Sequence, residues 1–315
     1  MEFNENIFAT LATRKSVYAT GLIIEISKGS KVIVAYFRRD KYTKMKILYA
    51  LVFFAIVLMS CAVKPLPSST AGMVNKDITI LCYNIHHCNP PSKPGLIDIQ
   101  AIANVIKQQN PDLVALQEVD VNTSRSGTSL NQAEELGRLT GMTAYFGKAI
   151  DYGGGEYGVA ILSKYPLSDI KNRPLPSAAG TNGEPRTLLS ATVNLPGNKQ
   201  IIFASTHLDA QRNDANRQLQ IKKILELVKQ ETLPVIIAGD FNAVPESDVI
   251  KQMDNYFTRT CITGCPFTIP VINPNKTIDY IAYTPGNAFK VVAHEVINEQ
   301  YASDHLPVKA VFTMK

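Results

Sequence analysis

One pattern limits the fold of this chain more than any other: short apolar runs recur from residue 78 to residue 312, with few helical patterns between them. Runs of this length that are rich in aliphatic and aromatic residues are typical of β-strands. The runs are 78–83, 113–116, 159–162, 187–193, 201–205, 235–238, 278–283, 291–296 and 308–312. Many strands with few helices indicate two packed sheets with helices outside, rather than one doubly wound parallel sheet, although the spacing alone does not settle this choice.

Three segments have the apolar spacing of amphipathic helices. The first begins after Asp98, a good N-cap residue, and is stopped by Asn110-Pro111. The second follows a capping-box pattern that starts at Ser129. The third places its apolar residues on one face between residues 221 and 228. With the strands, these helices predict one domain over residues 77–315.

Residues 45–61 have the features of an export signal. Lys46 precedes an apolar run over 47–59, and Ser60-Cys61 ends it. The run is short for a membrane span, and its flanks are those of a secretory signal. Leu58 to Cys61 also resembles a bacterial lipobox, in which the cysteine is lipidated, although Met59 is larger than the usual residue there. The alternatives are a single membrane anchor or a buried core helix.

We predict from this signal an exported, membrane-anchored lipoprotein that faces the periplasm or the cell surface. A signal must stand at the amino terminus to act, so we interpret residues 1–44 as a mis-annotated upstream extension. Residues 62–76 are rich in Pro, Ser and small residues, which predicts a flexible linker between the anchor and the domain.

The excess of positive charge lies in the first 60 residues. Residues 1–60 hold nine of the 32 Lys/Arg and four of the 27 Asp/Glu, so residues 61–315 hold 23 of each. Non-specific binding of duplex DNA normally requires an excess of cations. The balanced charge of residues 61–315 therefore disfavours a dedicated DNA-binding protein.

Two of the five cysteines lie four residues apart, at Cys261 and Cys265. Export would permit a disulfide between them. Zinc binding is a weaker alternative because the loop contains no histidine, and free thiols are the third.

Polar residues able to bind a metal or move a proton follow one predicted strand after another. Sites on rigid scaffolds are built in this way, from strands that are distant in sequence but end at one edge. These residues are Asn84 and His86, Glu118, His207, Asp240 and Asn242, Asp279, and Asp304 and His305.

In this order and spacing, the motifs resemble the endonuclease/exonuclease/phosphatase superfamily over about residues 78–312. They are Asn84-Ile-His, Gln117-Glu118, Thr206-His207-Leu-Asp, Gly239-Asp240-Phe-Asn242, Asp279-Tyr and Ser303-Asp304-His305. The resemblance implies a deoxyribonuclease I-like α/β (α+β) fold, a four-layer sandwich of two packed mixed β-sheets flanked by helices. It also implies a Mg²⁺-dependent phosphoric ester hydrolase, with Mn²⁺ as a substitute.

The resemblance assigns a metal-binding role to Glu118 as principal ligand, with Asp304 and Asn84 as ligands or close neighbours. Mg²⁺ takes oxygen ligands and keeps several waters, so one or two carboxylates suffice. His86 and Arg186 are candidate substrate-binding residues. The alternative for Arg186 is a structural salt bridge.

The resemblance assigns catalytic roles to five further residues. Asp240 would orient or deprotonate the attacking water, and Asn242 would hydrogen-bond the phosphate or that water. His305, held by Asp279, would bind a phosphate oxygen, because a carboxylate favours the cationic imidazole. His207 would stabilise the transition state or assist the leaving oxygen, although a lone histidine is more often structural.

We expect a monomer that cleaves a phosphate ester outside the cytoplasm: a lipid headgroup, an inositol phosphate or a small diester. One alternative is an exported endonuclease acting on DNA or RNA, which would need a basic surface around the site. The other is a lipoprotein that binds a phosphorylated ligand without cleaving it.

Overall fold

The computed structural model describes residues 77–315. The predicted extension (1–44), signal (45–61) and linker (62–76) lie outside the described residues. Among residues 77–315, no helix is both long and apolar enough to cross a membrane.

The strands form two mixed sheets of six strands each. In spatial order the first sheet contains β11 (Phe289–Val296), β12 (Val308–Met314), β1 (Ile78–Asn84), β2 (Leu113–Val121), β4 (Gly155–Ser163) and β3 (Thr143–Tyr152). The second contains β5 (Leu167–Leu175), β6 (Arg186–Leu195), β7 (Lys199–His207), β8 (Val235–Asp240), β10 (Asp279–Tyr283) and β9 (Thr258–Arg259).

Four α-helices flank the sheets in the described chain: α1 (Ile99–Gln109), α2 (Gln132–Thr140), α3 (Ala215–Val228) and α4 (Asp248–Asp254). As predicted, α1 begins after Asp98, whose carboxylate accepts the N–H of Ala101 at 3.0 Å. The expected start of α2 is wrong by two residues. Asn131, not Ser129, accepts the N–H of Glu134, because its side chain supplies the cap next to the apolar face. The apolar spacing of the sequence did not predict α4.

Three apolar clusters hold the layers together. Residues such as Ile80, Phe203 and Phe312 fill the space between the two sheets. A second cluster packs α3 and α4 on the outer face of the second sheet, and a third packs α1 and α2 on the first sheet. Each fully buried Leu, Ile or Phe contributes about 1.5–3 kcal/mol by leaving water. These layers confirm the predicted four-layer sandwich.

Three strands that the sequence did not predict, β3, β5 and β9, all lie at sheet edges. Edge strands bury less apolar surface and carry more polar side chains than central ones. β5, for example, has five exposed residues among its nine. An apolar-run criterion therefore detects central strands and overlooks these.

Cys261 and Cys265 form a disulfide bond in the loop between β9 and β10. Of the three alternatives open at the level of sequence, the structure selects the bond.

The strand pairing brings the predicted site residues to one end of the sandwich. β1 and β2 are parallel, and Asn84 at the end of β1 pairs with Gln117. β7 and β8 are also parallel, and His207 pairs with Asp240. β10 runs antiparallel to β8, so its first residue, Asp279, pairs with Asp240 as well. The carboxyl end of β1 thus lies beside an interior position of β2, and the carboxyl ends of β7 and β8 lie side by side, next to the start of β10.

Candidate active site

A β-bulge in β2 aims Glu118 at the end of the sandwich. Gln117 pairs with Val159 of β4 and Val119 pairs with Gly158, so Glu118 is an extra residue without a partner. Its backbone is left-handed, with φ at 56°. Such a conformation costs on the order of 1 kcal/mol in a residue other than glycine, and bulges of this kind re-aim side chains beside functional sites. The side chain of Glu118 is 22% exposed.

The buried amide of Asn84 connects carboxylates from the two sheets. Its Nδ2 donates to Oε1 of Glu118 and to Oδ2 of Asp240, each at 3.1 Å. Its Oδ1 accepts the backbone N–H of His86 at 3.1 Å. Because both amide hydrogens and one oxygen lone pair are used, Asn84 holds the two acids at a set separation.

Asp240 lies at the centre of the cluster. Its Oδ2 is 3.5 Å from Nε2 of His207 and 3.7 Å from Nε2 of His305. Its Oδ1 accepts the backbone N–H of Asn242 at 2.8 Å. Burial, and then the nearby charge of Asp279, raise the pKa of Asp240 to about 7, against the opposing effect of His305. A carboxylate with a raised pKa can accept a proton near neutral pH.

The expected contact between His305 and Asp279 is present. Nδ1 of His305 donates to the Asp279 carboxylate, at 2.9 Å from one oxygen and 3.1 Å from the other. Burial lowers the pKa of His305, but the charge and hydrogen bond of Asp279 outweigh burial and raise it to about 10. His305 is therefore an imidazolium at neutral pH.

His207 has the opposite surroundings. Nη1 of Arg186 is 3.3 Å from its Nδ1. Burial, and then the charge of Arg186, lower the pKa of His207 well below its usual value. The ring of His207 is therefore neutral at neutral pH, and donor groups lie near both of its nitrogens: the guanidinium at Nδ1 and the amide Nδ2 of Asn242 at Nε2.

Asn242 supports His207 from the other side. Its Nδ2 is 3.0 Å from Nε2 of His207 and donates to the carbonyl oxygen of Leu208 at 3.0 Å. Its backbone is left-handed, with φ at 47°. The amide of Asn242 thus contacts His207, to which the sequence assigned a separate catalytic role.

Arg186 is buried and forms the salt bridge that was the alternative to phosphate binding. Its side chain is 6% exposed, and Nη1 is 2.8 Å from Oε1 of Glu184. Its Nε is buried without a hydrogen-bond partner in the described chain. In this arrangement the guanidinium of Arg186 contacts the ring of His207 and lowers its pKa.

His86 and His87 lie beside Glu118. Nδ1 of His86 donates to the carbonyl of Asn89 at 2.8 Å, and its ring meets His87 edge to face at 4.5 Å. Nδ1 of His87 is 3.9 Å from Oε2 of Glu118 and, in the described chain, is buried without a hydrogen-bond partner. The sequence analysis did not select His87, although a His-His pair directly after the first strand is a detectable signal.

Asp304 is the least connected of the predicted residues. The hydroxyl of Ser303 donates to the backbone carbonyl of Asn84 at 2.7 Å, which joins this segment to β1. The same hydroxyl is 3.4 Å from Oδ1 of Asp304. Within the described chain Asp304 makes no hydrogen bond to Glu118.

The residues around Glu118 fit a divalent cation. Burial raises the pKa of Glu118, but the adjacent His87 ring, the hydrogen bond from Asn84 and the charge of His305 outweigh burial and lower the pKa, so the group is a carboxylate. Hard divalent cations prefer such oxygen ligands. Ligand atoms of His86, His87 and Glu118 lie within 4.8 Å of one another, as do those of Asp240, Asp279 and His305. In the second group the imidazolium of His305 already pairs with Asp279 and lies near Asp240, so the first is the better candidate.

A model of the Endonuclease/Exonuclease/phosphatase family matches residues 81–305. The uncharacterised protein YbhP of Escherichia coli K12 is 32% identical over 246 residues, which cover 73% of this chain and 94% of that protein. An endonuclease/exonuclease/phosphatase structure from Beutenbergia cavernae superposes with a TM-score of 0.63 at 24% identity, over 76% of this chain and 72% of that one. Mannosyl-6-phosphatase Bt3783 of Bacteroides thetaiotaomicron superposes with a TM-score of 0.60 at 18% identity, over 75% and 99%.

Proposed function

This chain belongs to the endonuclease/exonuclease/phosphatase family, whose members are typically phosphoester hydrolases that use divalent metals, and we propose that it hydrolyses phosphate esters with Mg²⁺ or Mn²⁺ outside the cytoplasm. The substrate we propose is a small phosphate ester or a lipid headgroup rather than a nucleic acid.

One observation carries this proposal: Asp240 lies between a neutral and a cationic histidine and is joined through Asn84 to Glu118. Hydrolysis of a phosphate ester needs a group that takes a proton from water, donors for the phosphoryl oxygens, and stabilisation of the leaving oxygen. The cluster contains a candidate for each need.

Glu118 would be the main metal ligand, with Asp304 and Asn84 nearby and His87 as a further candidate. A divalent cation held there would neutralise phosphoryl charge and stabilise the leaving oxygen. The left-handed backbone of Glu118 and the amide of Asn84 keep the carboxylate in place before any cation binds.

Asp240 is the proposed proton acceptor. Its Oδ1 is held by the N–H of Asn242, while Oδ2 faces both imidazoles. Its raised pKa suits it to orient a water and take the water's proton at neutral pH.

The histidines are the proposed donors to phosphate. His305 is cationic because of Asp279 and would donate from Nε2 to a phosphoryl oxygen. His207 is neutral, so a hydrogen bond from its ring to the phosphate would add no charge. Donors aimed in advance at developing negative charge are typically the largest contribution to such catalysis.

The location proposed is the outer side of a membrane, with Cys61 as the lipid attachment site. The signal-like segment 45–61 supports this location. Mass spectrometry of the mature protein tests it: the expected amino terminus is a lipidated Cys61. Peptides from residues 1–44 in the cellular protein would contradict both the signal and its start at Met45.

The activity is tested with the full chain and two chromogenic esters, bis(p-nitrophenyl) phosphate and p-nitrophenyl phosphate. We expect p-nitrophenol release that requires Mg²⁺ or Mn²⁺, is abolished by EDTA, and falls at least about 100-fold in His305→Ala. Arg138→Gln is the control, because Arg138 is exposed and pairs with Glu135 alone in the described chain.

Undiminished hydrolysis by His305→Ala, or hydrolysis that survives EDTA, would refute the mechanism. Preferred cleavage of plasmid DNA or RNA would establish the nuclease alternative. Phosphate-ester binding without turnover under any metal would establish the non-catalytic alternative.

A further inference from the structure

A cleft of about 650 Å³ adjoins the proposed active site at Asn242. This volume is within the range of small-molecule sites, roughly 300–1,000 Å³. Its walls come from the loop before α3, from α3 itself and from the segment between β8 and α4. The residues that matter here are Arg212, Asn213, Arg217, Asn242, Val244 and Ser247.

Arg217 is buried at this cleft without a counter-ion. It is 8% exposed, and in the described chain no carboxylate lies within 4.0 Å of it. Its Nη1 donates to the carbonyl oxygens of Asp209 at 2.8 Å and Gln211 at 2.5 Å. Its Nε is buried without a partner. Burying a cation without a counter-ion is costly even where carbonyl oxygens accept its hydrogen bonds, so a guanidinium in this state is suited to a ligand that supplies the missing anion.

Arg212 adds a second positive charge to the same cleft. It is exposed, and within residues 77–315 it forms neither a hydrogen bond nor an ion pair. Asp214 also lines the cleft, and its Oδ2 accepts from Gln218 at 3.1 Å. Two arginines and one aspartate leave the cleft with a net positive charge.

The position of the cleft connects it to the reaction. Asn242 lines the cleft, and its side-chain amide also contacts His207. A substrate with its reacting phosphate at Asp240 and His207 would have room to extend past Asn242 into the cleft.

We propose that Arg212 and Arg217 form a subsite for a second phosphate carried by the same substrate molecule. This inference rests on the proposed function and narrows its substrate class to phosphate esters that bear another phosphate. Arginine suits the role because its planar guanidinium binds phosphate through paired hydrogen bonds. Asn213 and Ser247 supply polar contacts, and Val244 an apolar one, for the group between the two phosphates.

A small substrate fits this cleft better than a nucleic-acid strand. A strand presents phosphates at regular intervals and needs a basic track along its path. Here the two arginines occupy one bounded cleft, and residues 61–315 carry balanced charge.

The test compares ligands that differ by one phosphate. The soluble pair is glucose 1,6-bisphosphate and glucose 1-phosphate. The lipid pair is phosphatidylcholine vesicles containing phosphatidylinositol 4-phosphate or phosphatidylinositol. Binding to the full chain is measured in EDTA, by calorimetry for the sugars and by co-sedimentation for the vesicles, and kcat/KM is measured with Mg²⁺.

We expect the wild-type chain to prefer the extra phosphate by about tenfold or more in one of the two pairs, which identifies a soluble or a lipid source. Arg212→Gln should reduce that preference to about twofold or less, and Arg217→Lys should reduce it in the same direction. Arg138→Gln, whose exposed arginine lies outside the cleft, should retain the wild-type preference. Because Arg212 is exposed, its variant keeps the test valid even if Arg217→Lys fails to fold.

A wild-type chain without preference in either pair, or an Arg212→Gln variant that keeps the full preference, would overturn the subsite. Tighter binding of a single-stranded oligonucleotide than of either bisphosphate, lost in Arg212→Gln, would also overturn it in favour of a nucleic-acid track. Failure of the proposed function gives a different result: no ester is hydrolysed with metal, while the binding preference in EDTA remains.

Discussion

Nη1 of Arg186 lies 3.3 Å from Nδ1 of His207, at the ring position where His305 instead meets the carboxylate of Asp279. One histidine of the pair is therefore neutral and the other cationic, although both face the same oxygen of Asp240. An acceptor at Nδ1 stabilises protonation of both ring nitrogens, whereas a cation at Nδ1 disfavours it. Burial, reinforced by Arg186, keeps His207 neutral, and Asp279 keeps His305 charged against the effect of burial.

Replacing Arg186 by Met should raise the pKa of His207, because a nearby positive charge is removed. The ring would then protonate at higher pH, so the acidic limb of the kcat/KM profile should move to higher pH. We also expect kcat/KM to fall about 10- to 100-fold, as when a group that orients a functional side chain is lost. A pH series with the chromogenic diester measures both effects.

Arg186→Lys is the matched control, since it keeps a donor-only cation at the position. It should restore much of the wild-type profile. A purely structural role for Arg186 would lower stability in the Met variant without moving the limb, and a nuclear magnetic resonance titration of the His207 ring would then show an unchanged pKa.

The ion pair of His305 with Asp279 should make stability depend on alkaline pH. The folded-state pKa is raised to about 10 from an ordinary value of 6.5, so protonation of His305 stabilises the native state. That contribution is complete below about pH 6.5, declines above it and is lost by about pH 10. Urea unfolding of the wild type and His305→Gln between pH 6 and pH 10 should therefore give free energies that converge as pH rises. A constant difference across this range would contradict the assignment.

Removing the charge of Glu118 should weaken cation binding. Glu118→Gln keeps the size of the side chain and its contact with Asn84 but supplies a poorer ligand. We expect Mn²⁺ affinity, followed by calorimetry or electron paramagnetic resonance, to fall by at least about tenfold. Glu135→Gln is the control, because Glu135 pairs with exposed Arg138. Equal Mn²⁺ affinity in the wild type and Glu118→Gln would place the cation elsewhere.

Arg125 should matter for stability, since it neutralises Asp120 inside the fold. The Asp120 side chain is 0% exposed and accepts from Nε and Nη2 of Arg125 at 2.7 and 2.9 Å. Arg125→Met leaves that carboxylate without its cation, which should cost on the order of 3 kcal/mol. Arg138→Met, which breaks an exposed pair, should cost less than about 1 kcal/mol. Urea unfolding measures both, and similar losses in the two variants would contradict the distinction.

The central strands were predictable because they carry their own signal. Strands such as β7 and β8 are buried along nearly their whole length, so their residues are almost uniformly apolar. β3 and β5 lie at sheet edges, and their sequences resemble those of loops. Their places depend on pairing with β4 and β6, which no local pattern encodes.

For the site, local sequence identified the residue types but not the contacts between them. Glu118 stood out because it follows an apolar run, whereas the bulge that turns it is visible only in its pairing with β4. Arg186 is a candidate phosphate-binding residue with a salt bridge as the alternative, and its contact with a histidine 21 residues away has no local signal. His87, which lies beside Glu118, is not among the site residues predicted from the sequence.

By itself, the sequence determined which chemical groups stand at the ends of the buried strands and in what order. A buried strand requires apolar residues, and polar residues follow at the point where it ends, so both are visible locally. Tertiary structure alone decided the distances among Asn84, Asp240 and His305, and with them which imidazole is charged. Protonation depends on burial and on charges within a few ångströms, and those neighbours come from segments as far apart in the chain as 156 residues.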